Sequence, residues 1–353
     1  MVMNNPYFFL DINRLKMITQ NITHTISESI VDTVGNTPLV KLNKINRQAN
    51  FNLYGKLEAA NPAGSIKDRT SLFILQQALA DGRIKKGDTV IESSSGNMAV
   101  GLAQACLYYG LKLIVVVDPK LNSHTEKILN TYGARIEKVT KPKENGGFLA
   151  ARLERVQYLL ISIPNSFWSN QYGNQDNPLT HHKTMTEMMD SLHGKLDYLF
   201  VATSTCGTLM GCADYIYENN FDTKIIAVDA VGSVLFGGPP LKRLIPGHGA
   251  GVPSQFLDTN KIHDHVYVDD VDCAKGCWSL LENESILCGG SSGGMISAVK
   301  KYSKHIEEGS NCALFLCDRG ERYLDTIYNK EWLLHKLPES RNAFTPLGGW
   351  QVA

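Results

Sequence analysis

The sequence predicts an α/β fold in two domains, each built on a parallel-type sheet flanked by helices. Three observations carry this. Apolar β-branched runs alternate with segments of helical period along most of the chain, the pattern of strands joined by crossover helices. Strand-like runs such as Leu113-Ile114-Val115-Val116-Val117 are apolar at every position, which fits burial on both faces of a sheet. The chain has 353 residues, enough for two cores.

In order along the chain, residues 1–30 are polar and rich in Asn and Thr and read as a surface extension. Tyr7-Phe8-Phe9-Leu10 within it lacks the basic flank, long apolar stretch and small-residue cleavage site of a signal peptide. Asn61-Pro62-Ala63-Gly64 is a turn, and Ser65 caps a helix running through Lys67 to Asp81-Gly82. Strands follow at Asp88–Ser93, Lys112–Val117 and Arg135–Val139, with helices at Met98–Tyr109 and His124–Tyr132 between them. Residues Lys141–Gly147 form a loop, with a domain seam nearby. Beyond it come strands at Leu196–Ala202 and Lys224–Asp229 around a helix at Leu209–Glu218, and a last helix at Met295–Tyr302. His263 and His265 alternate along a further strand and read as a solvated face rather than a metal site.

Composition narrows the function. Lys+Arg and Asp+Glu both total 35, so the net charge is zero, and no basic stripe interleaved with aromatics calls for nucleic acid. The longest apolar runs are far too short to cross a bilayer. Eight cysteines without a C-x-x-C pair read as reduced thiols of a cytoplasmic protein, and no metal site is expected.

Ligands of open α/β sheets bind where strands end and helices begin, and four such junctions are rich in Gly, Ser, Thr and Asn. In the first, Lys67 falls in the opening turn of its helix, where the dipole disfavours a cation and so favours the neutral, nucleophilic amine. Read alone, the segment fits a snorkelling surface lysine equally well. In the second, Glu92-Ser93-Ser94-Ser95-Gly96-Asn97-Met98 offers successive N–H groups to a carboxylate, the alternative being a plain capped turn. The third, Thr203-Ser204-Thr205-Cys206-Gly207-Thr208, offers hydroxyls and N–H groups to a phosphate and matches neither a Walker loop nor a dinucleotide fingerprint. The fourth, Cys288-Gly289-Gly290-Ser291-Ser292-Gly293-Gly294, presents a neutral hydroxyl on a loop that allows close approach. Gly247-His248-Gly249-Ala250-Gly251 is also glycine-rich, but no clear strand precedes it. A reactive lysine, a phosphate loop, a carboxylate loop and a neutral polar pair together suggest pyridoxal 5′-phosphate acting on an amino acid.

From about Val31 to about Leu334 the chain resembles fold type II pyridoxal-phosphate enzymes of the cysteine synthase and cystathionine β-synthase group. Gly35-Asn36-Thr37-Pro38-Leu39, Asn61 through Arg69, Ser95-Gly96-Asn97, Asn170-Gln171-Tyr172 and Gly320-Glu321-Arg322-Tyr323-Leu324 carry the resemblance. It implies an active site in the cleft between a larger cofactor-anchoring domain (31–60 plus 160–335) and a smaller mobile substrate-binding domain (61–159), with a tail over 336–353. It further implies that Lys67 holds the cofactor and moves the proton. Asn97 would meet the ring hydroxyl, Ser204, Thr205, Cys206, Gly207 and Thr208 the phosphate, and Ser291 the ring nitrogen. Ser94, Ser95, Met98 and Gln171 would line the substrate's carboxylate site. The chain departs from plain cysteine synthases at Met98, where they commonly carry Thr, and at Ser204 and Cys206, which replace glycines.

Within the family, Val117–Lys120, Gly146–Leu149 with Arg152, Val228–Gly237 and Asp318–Asp325 are similar to a branch that makes N-(2-amino-2-carboxyethyl)-L-glutamate for 2,3-diaminopropionate and siderophore biosynthesis. That implies O-phospho-L-serine as donor, accepted by Arg152, Tyr172 and Ser204, with L-glutamate as acceptor, in a cytoplasmic homodimer. The planar Arg fork suits a phosphate. Arg152 beside Glu154 and Arg155 also fits a plain helix-surface charge. The alternatives on the same fold are cysteine or cystathionine synthesis from O-acetylserine or serine, and a lyase releasing pyruvate and ammonia. From another class, a cofactor-binding protein without turnover remains.

Overall fold

A computed structural model describes residues 26–144 and 146–339. Most of the expected extension, with Tyr7–Leu10, and the tail from residue 340 lie outside the described residues. Among the described residues ten strands form two sheets. The larger has the order β1 (Leu39–Lys41), β2 (Asn52–Lys56), β10 (Asn311–Phe315), β7 (Tyr198–Ala202), β8 (Lys224–Ala230) and β9 (Asp264–Val268). The smaller has the order β5 (Arg135–Lys138), β4 (Lys112–Val117), β3 (Thr89–Ser93) and β6 (Ser166–Trp168). Every pairing is parallel except β1 with β2.

The smaller sheet explains its own sequence. In β4, Leu113, Val115 and Val117 join one apolar core, and Ile114 and Val116 join the core on the opposite face. Helices α1 (Lys67–Ala80), α2 (Asn97–Tyr109) and α3 (Ser123–Thr131) supply Leu75, Leu102 and Leu129 to the first core. Helix α4 (Gly147–Ser162) supplies Val156 and Leu159 to the second. A strand segment covered on both sides must be apolar throughout, and Leu113–Val117 is, with only Lys112 at the strand's start exposed. Helix ends follow local chemistry: Asn122 accepts the N–H groups of His124 and Thr125 to start α3, and Gly110 ends α2 in the left-handed region at φ 68°.

The Lys141–Gly147 loop is internal to the smaller sheet, because it joins β5 to α4, whose core residues face that same sheet. The sheet also extends past residue 159, since β6 pairs with β3 at Thr89↔Ser166, Val90↔Phe167 and Ile91↔Trp168.

The larger sheet carries the main core, with α5 (Asp176–Ser191), α6 (Gly207–Glu218), α7 (Asp270–Glu284) and α8 (Gly290–Tyr302) packed around it. Leu333 of α9 (Lys330–Lys336) closes its edge. Asp269 starts α7 with a reciprocal capping box to Asp272. His265 is exposed and stacks on Phe236 at a centroid distance of 4.6 Å.

Candidate active site

A cavity of about 500 Å³ opens between the sheets, against Ser93 at the end of β3, Ala202 at the end of β7 and Cys317 just beyond β10. All four loops singled out in the sequence reach it.

Lys67 sits at the cavity as the first residue of α1. The turn before it is stitched down. Ile66 N–H donates to Cys317 O at 2.8 Å, and Lys67 N–H donates to Ser65 Oγ at 3.2 Å. The Asp68 carboxylate accepts Ala63 N–H at 2.6 Å, Gly64 N–H at 3.1 Å and Ser65 Oγ–H at 3.1 Å. Gly64 turns at φ +92°, and a Cβ there would press on Arg319. The Lys67 amine makes no hydrogen bond or ion pair with any described residue. Its pKa is lowered by burial, against the raising influence of Cys317, Cys206 and Glu92. Burial is thus the main cause of the lowered pKa, alongside the helix-start position read from the sequence.

Below the second loop lies Glu92, fully buried. It accepts Ser93 N–H at 2.8 Å, Ser169 Oγ–H at 2.7 Å and Gln171 N–H at 3.1 Å. Gln171 Nε2 in turn donates to Ser93 O at 3.2 Å. This fixes β3, the serine loop and Gln171 together, with Ser94, Ser95 and Met98 on the same cavity wall. Ser93 Oγ is buried without a partner. Asn97 Nδ2 donates to Asp318 Oδ2, and Arg322 donates to Asn97 Oδ1.

The third loop ends β7 and starts α6, with Cys206 held in the left-handed region at φ 67°. The N–H groups of Thr205 and Cys206 carry no hydrogen bond to any described residue, so they remain free for an anion. Thr208 Oγ1 pairs with His181 Nε2 at 3.1 Å. Burial, then the charges of Lys67 and Arg69, push His181 well below its usual pKa. Ser204, Thr205, Cys206 and Thr208 line the cavity. Gly207 does not line it; a Cβ there would meet Asn177 Oδ1 at 2.3 Å, so its place is to let the loop lie against α5. On the fourth loop, Ser291 opens α8 within reach of the Cys317 thiol.

Arg152 on α4 faces the same cavity beside Tyr172. Its side chain is 13% exposed, with Nε 3.6 Å from Asp118 Oδ2. The surface role fits its neighbours instead: Glu154 pairs with Lys143 and Arg155 with Glu137. Burial pushes the Tyr172 phenol up, and the Arg152 charge pulls it down.

Sequence reasoning missed several wall residues. Arg243 lines the cavity, and so does the Gly247–Gly251 turn, whose glycines are legible in the sequence but whose place in the site is not, because no regular strand immediately precedes it. Lys120 lines it too. The described lining thus holds Lys67, Lys120, Arg152 and Arg243 and no carboxylate. Among the described residues no group of three or more His, Cys, Asp or Glu is placed to hold a metal ion.

The residues fit pyridoxal 5′-phosphate. An unpaired amine of lowered pKa faces unpaired N–H groups at a helix start, and Ser291 adds a hydroxyl. Residues 30–318 match a family described as pyridoxal-phosphate dependent enzyme. The chain is 44% identical over 309 residues to an N-(2-amino-2-carboxyethyl)-L-glutamate synthase of Ralstonia nicotianae, covering 87% of this chain and 91% of that one. Its structure is similar to an O-acetylserine-dependent cystathionine β-synthase from Helicobacter pylori, with a TM-score of 0.81 and 28% identity over 87% of this chain and 100% of that one. A cysteine synthase from Entamoeba histolytica gives a TM-score of 0.80 and 30% identity over 87% and 92% of the two chains. Sequence, fold and site agree: the chain belongs to the pyridoxal-phosphate-dependent enzymes, with the architecture of their cysteine synthase-like members.

Proposed function

We propose that the protein replaces the phosphate of O-phospho-L-serine with the α-amine of L-glutamate, giving N-(2-amino-2-carboxyethyl)-L-glutamate and inorganic phosphate, a step towards 2,3-diaminopropionate. The observation that carries this reading is the cavity's charge: Lys120, Arg152 and Arg243, besides the cofactor-holding Lys67, and no carboxylate among the described lining residues. Donor and acceptor are both polyanions, and such a wall attracts them. The similarity to the Ralstonia nicotianae synthase supports the choice of acceptor.

Lys67, Asn97, the Ser204–Thr208 loop and Ser291 would hold the cofactor. When bound, pyridoxal 5′-phosphate supplies the electron sink that lets the α-proton and the β-substituent leave. Ser94, Ser95 and Gln171 orient the donor carboxylate, and Arg152 with Tyr172 takes its phosphate by charge-assisted hydrogen bonds. Lys67 Nζ takes the α-proton and later returns it. The Cβ–O bond breaks to phosphate, and a Cβ–N bond forms with the glutamate amine, which loses a proton. Closure of the smaller sheet over the larger excludes water from this exchange. We place the enzyme in the cytoplasm as a homodimer. Eight unpaired thiols support a reducing compartment, and the dimer rests on the family resemblance.

The test is to incubate holoenzyme with O-phospho-L-serine, with and without L-glutamate, following phosphate and identifying products by mass. Glutamate-dependent adduct is expected. Phosphate with only pyruvate, or a product only with sulfide or homocysteine, overturns the acceptor.

A further inference from the structure

We propose that Arg243 is the anion-binding residue of the acceptor subsite, taking a carboxylate of the incoming amino acid on the Nε–Nη2 edge of its guanidinium. This rests on the reaction proposed above and names the part of the cavity that the second substrate uses.

Arg243 lies on the wall formed by the segment after β8, away from Lys67's turn and from α4, which carries Arg152. One of its nitrogens is already committed: Nη1 donates to His248 O at 2.8 Å. That bond orients the planar fork and leaves Nε and Nη2 without a hydrogen-bond partner among the described residues. Nε is buried without a hydrogen-bond partner, and no carboxylate of the described residues pairs with the guanidinium. Arg152, by contrast, has Asp118 nearby. A buried guanidinium Nε with neither hydrogen bond nor counter-charge is costly unless a ligand satisfies it. Two Nε/Nη-type donors side by side match the two oxygens of a carboxylate.

The surrounding turn is shaped around this side chain. A Cβ on Gly249 would stand 2.5 Å from Arg243 Nη1 and 2.8 Å from Ala230 Cβ, so only glycine lets the guanidinium cross there. Gly251, on the cavity wall, borders Nη2 at 3.7 Å from its would-be Cβ. The turn itself is pinned. Gly249 N–H donates to Thr203 O at 2.8 Å, and Ala250 N–H to Ser233 Oγ at 3.0 Å. His248 Nε2 pairs with Val228 O at 3.0 Å, and its Nδ1 lies 3.6 Å from the Cys273 thiol. Arg243 is therefore presented from a rigid support, as a selective anion site requires.

The test separates the two halves of the reaction in wild type, Arg243→Lys and Arg243→Gln, with Arg152→Lys as the donor-side contrast. Lysine can keep the bond to His248 O but not the side-on fork. The expected result is a rise of about tenfold or more in the KM for L-glutamate in both Arg243 variants, the size of one lost charge-assisted bond. Single-turnover phosphate release from O-phospho-L-serine without acceptor stays within about twofold of wild type. Arg152→Lys does the reverse. Calorimetric binding of L-glutamate to the holoenzyme weakens in parallel with the Arg243 effect. If wild type uses L-glutamate and the Arg243 variants keep its KM and binding, the assignment falls and the reaction stands. If both halves fall together in both Arg243 variants, Arg243 is a peg for the turn and the assignment falls. If wild type neither binds nor uses L-glutamate, the reaction and the assignment fall together.

Discussion

Asn97, on the cavity wall, and the buried Asp318, 221 residues apart, meet where Asn97 Nδ2 donates to Asp318 Oδ2 at 2.8 Å. Arg322 holds the other end of the same amide through Oδ1, and Tyr323 donates to Asp318 Oδ2 at 2.5 Å. The amide is thus oriented by a carboxylate on one side and a guanidinium on the other. It joins the start of α2 to the segment after β10, and so one sheet to the other.

Asp318→Ala removes the carboxylate oxygen that accepts from both Asn97 Nδ2 and Tyr323, and so frees the Asn97 amide to turn. Under the proposed reading, Asn97 would no longer present the same group to the cofactor ring. Cofactor loss on dialysis is expected to speed up by about tenfold, the scale of outer hydrogen bonds that orient a ligand's direct partner. The visible absorbance of the dialysed enzyme reads this directly. Unchanged retention would mean that the amide's direction is set elsewhere.

Lys67→Ala tests attachment apart from folding. The turn before Lys67 is held by Asp68, Ser65 and Ile66, none of which uses the lysine side chain. The variant should therefore unfold within about 1 kcal/mol of wild type, as expected where no buried partner is lost. Borohydride reduction of wild type should leave the cofactor on the peptide that contains Lys67, and reduction of the variant should leave none. A labelled peptide elsewhere in the chain would move the site.

What could be read from sequence was what sits together in sequence. Lys67, the serine loop, Ser204–Thr208 and Ser291 each lie within a few residues of a strand-to-helix junction, so composition alone flags them. Glu92 and Asp318 act through partners far along the chain, and Arg243 lies on an irregular segment away from any strand-to-helix junction, so nothing local marks them. β6 escaped for another reason: Ser166-Phe167-Trp168 is three residues long, too short for any period to show. The helix start at Lys67 is legible from a turn and a cap, whereas the burial that lowers its pKa is a tertiary quantity.

Gly276→Ala probes the support of Ser291. A Cβ at Gly276 on α7 would lie 1.9 Å from Gly293 O, which is backbone of α8. Nothing flexible can give way, so the helices must part. A cost of about 1–3 kcal/mol in unfolding free energy is expected, the usual range for overpacking. Because α8 begins at Gly290 and Ser291 lies in its first turn, cofactor affinity should fall as well. A destabilised variant with wild-type cofactor affinity would separate helix packing from the site.

Glu187 closes a buried ionic network behind α1. Its Oε2 lies 2.7 Å from both Lys56 Nζ and Arg69 Nη2, and Arg69 also pairs with Glu58 at 2.7 Å. Burial alone would raise the Glu187 pKa, but hydrogen bonds and charge from Arg69, with Lys56, hold it down at about 2 against an ordinary 4.5. A carboxylate whose folded pKa is depressed contributes stability above its unfolded pKa and loses it as the pH falls through the folded one. Glu187→Gln should therefore cost about 3 kcal/mol at pH 7, since it leaves two buried cations short of a partner. The gap to wild type should narrow as the pH falls from 4.5 towards 2, because wild type then loses the same charge. Urea unfolding of both proteins at pH 7, 4.5 and 3 measures it. A gap that stays constant would mean that shape and hydrogen bonding at Glu187, rather than its charge, hold the network that carries Lys67's helix.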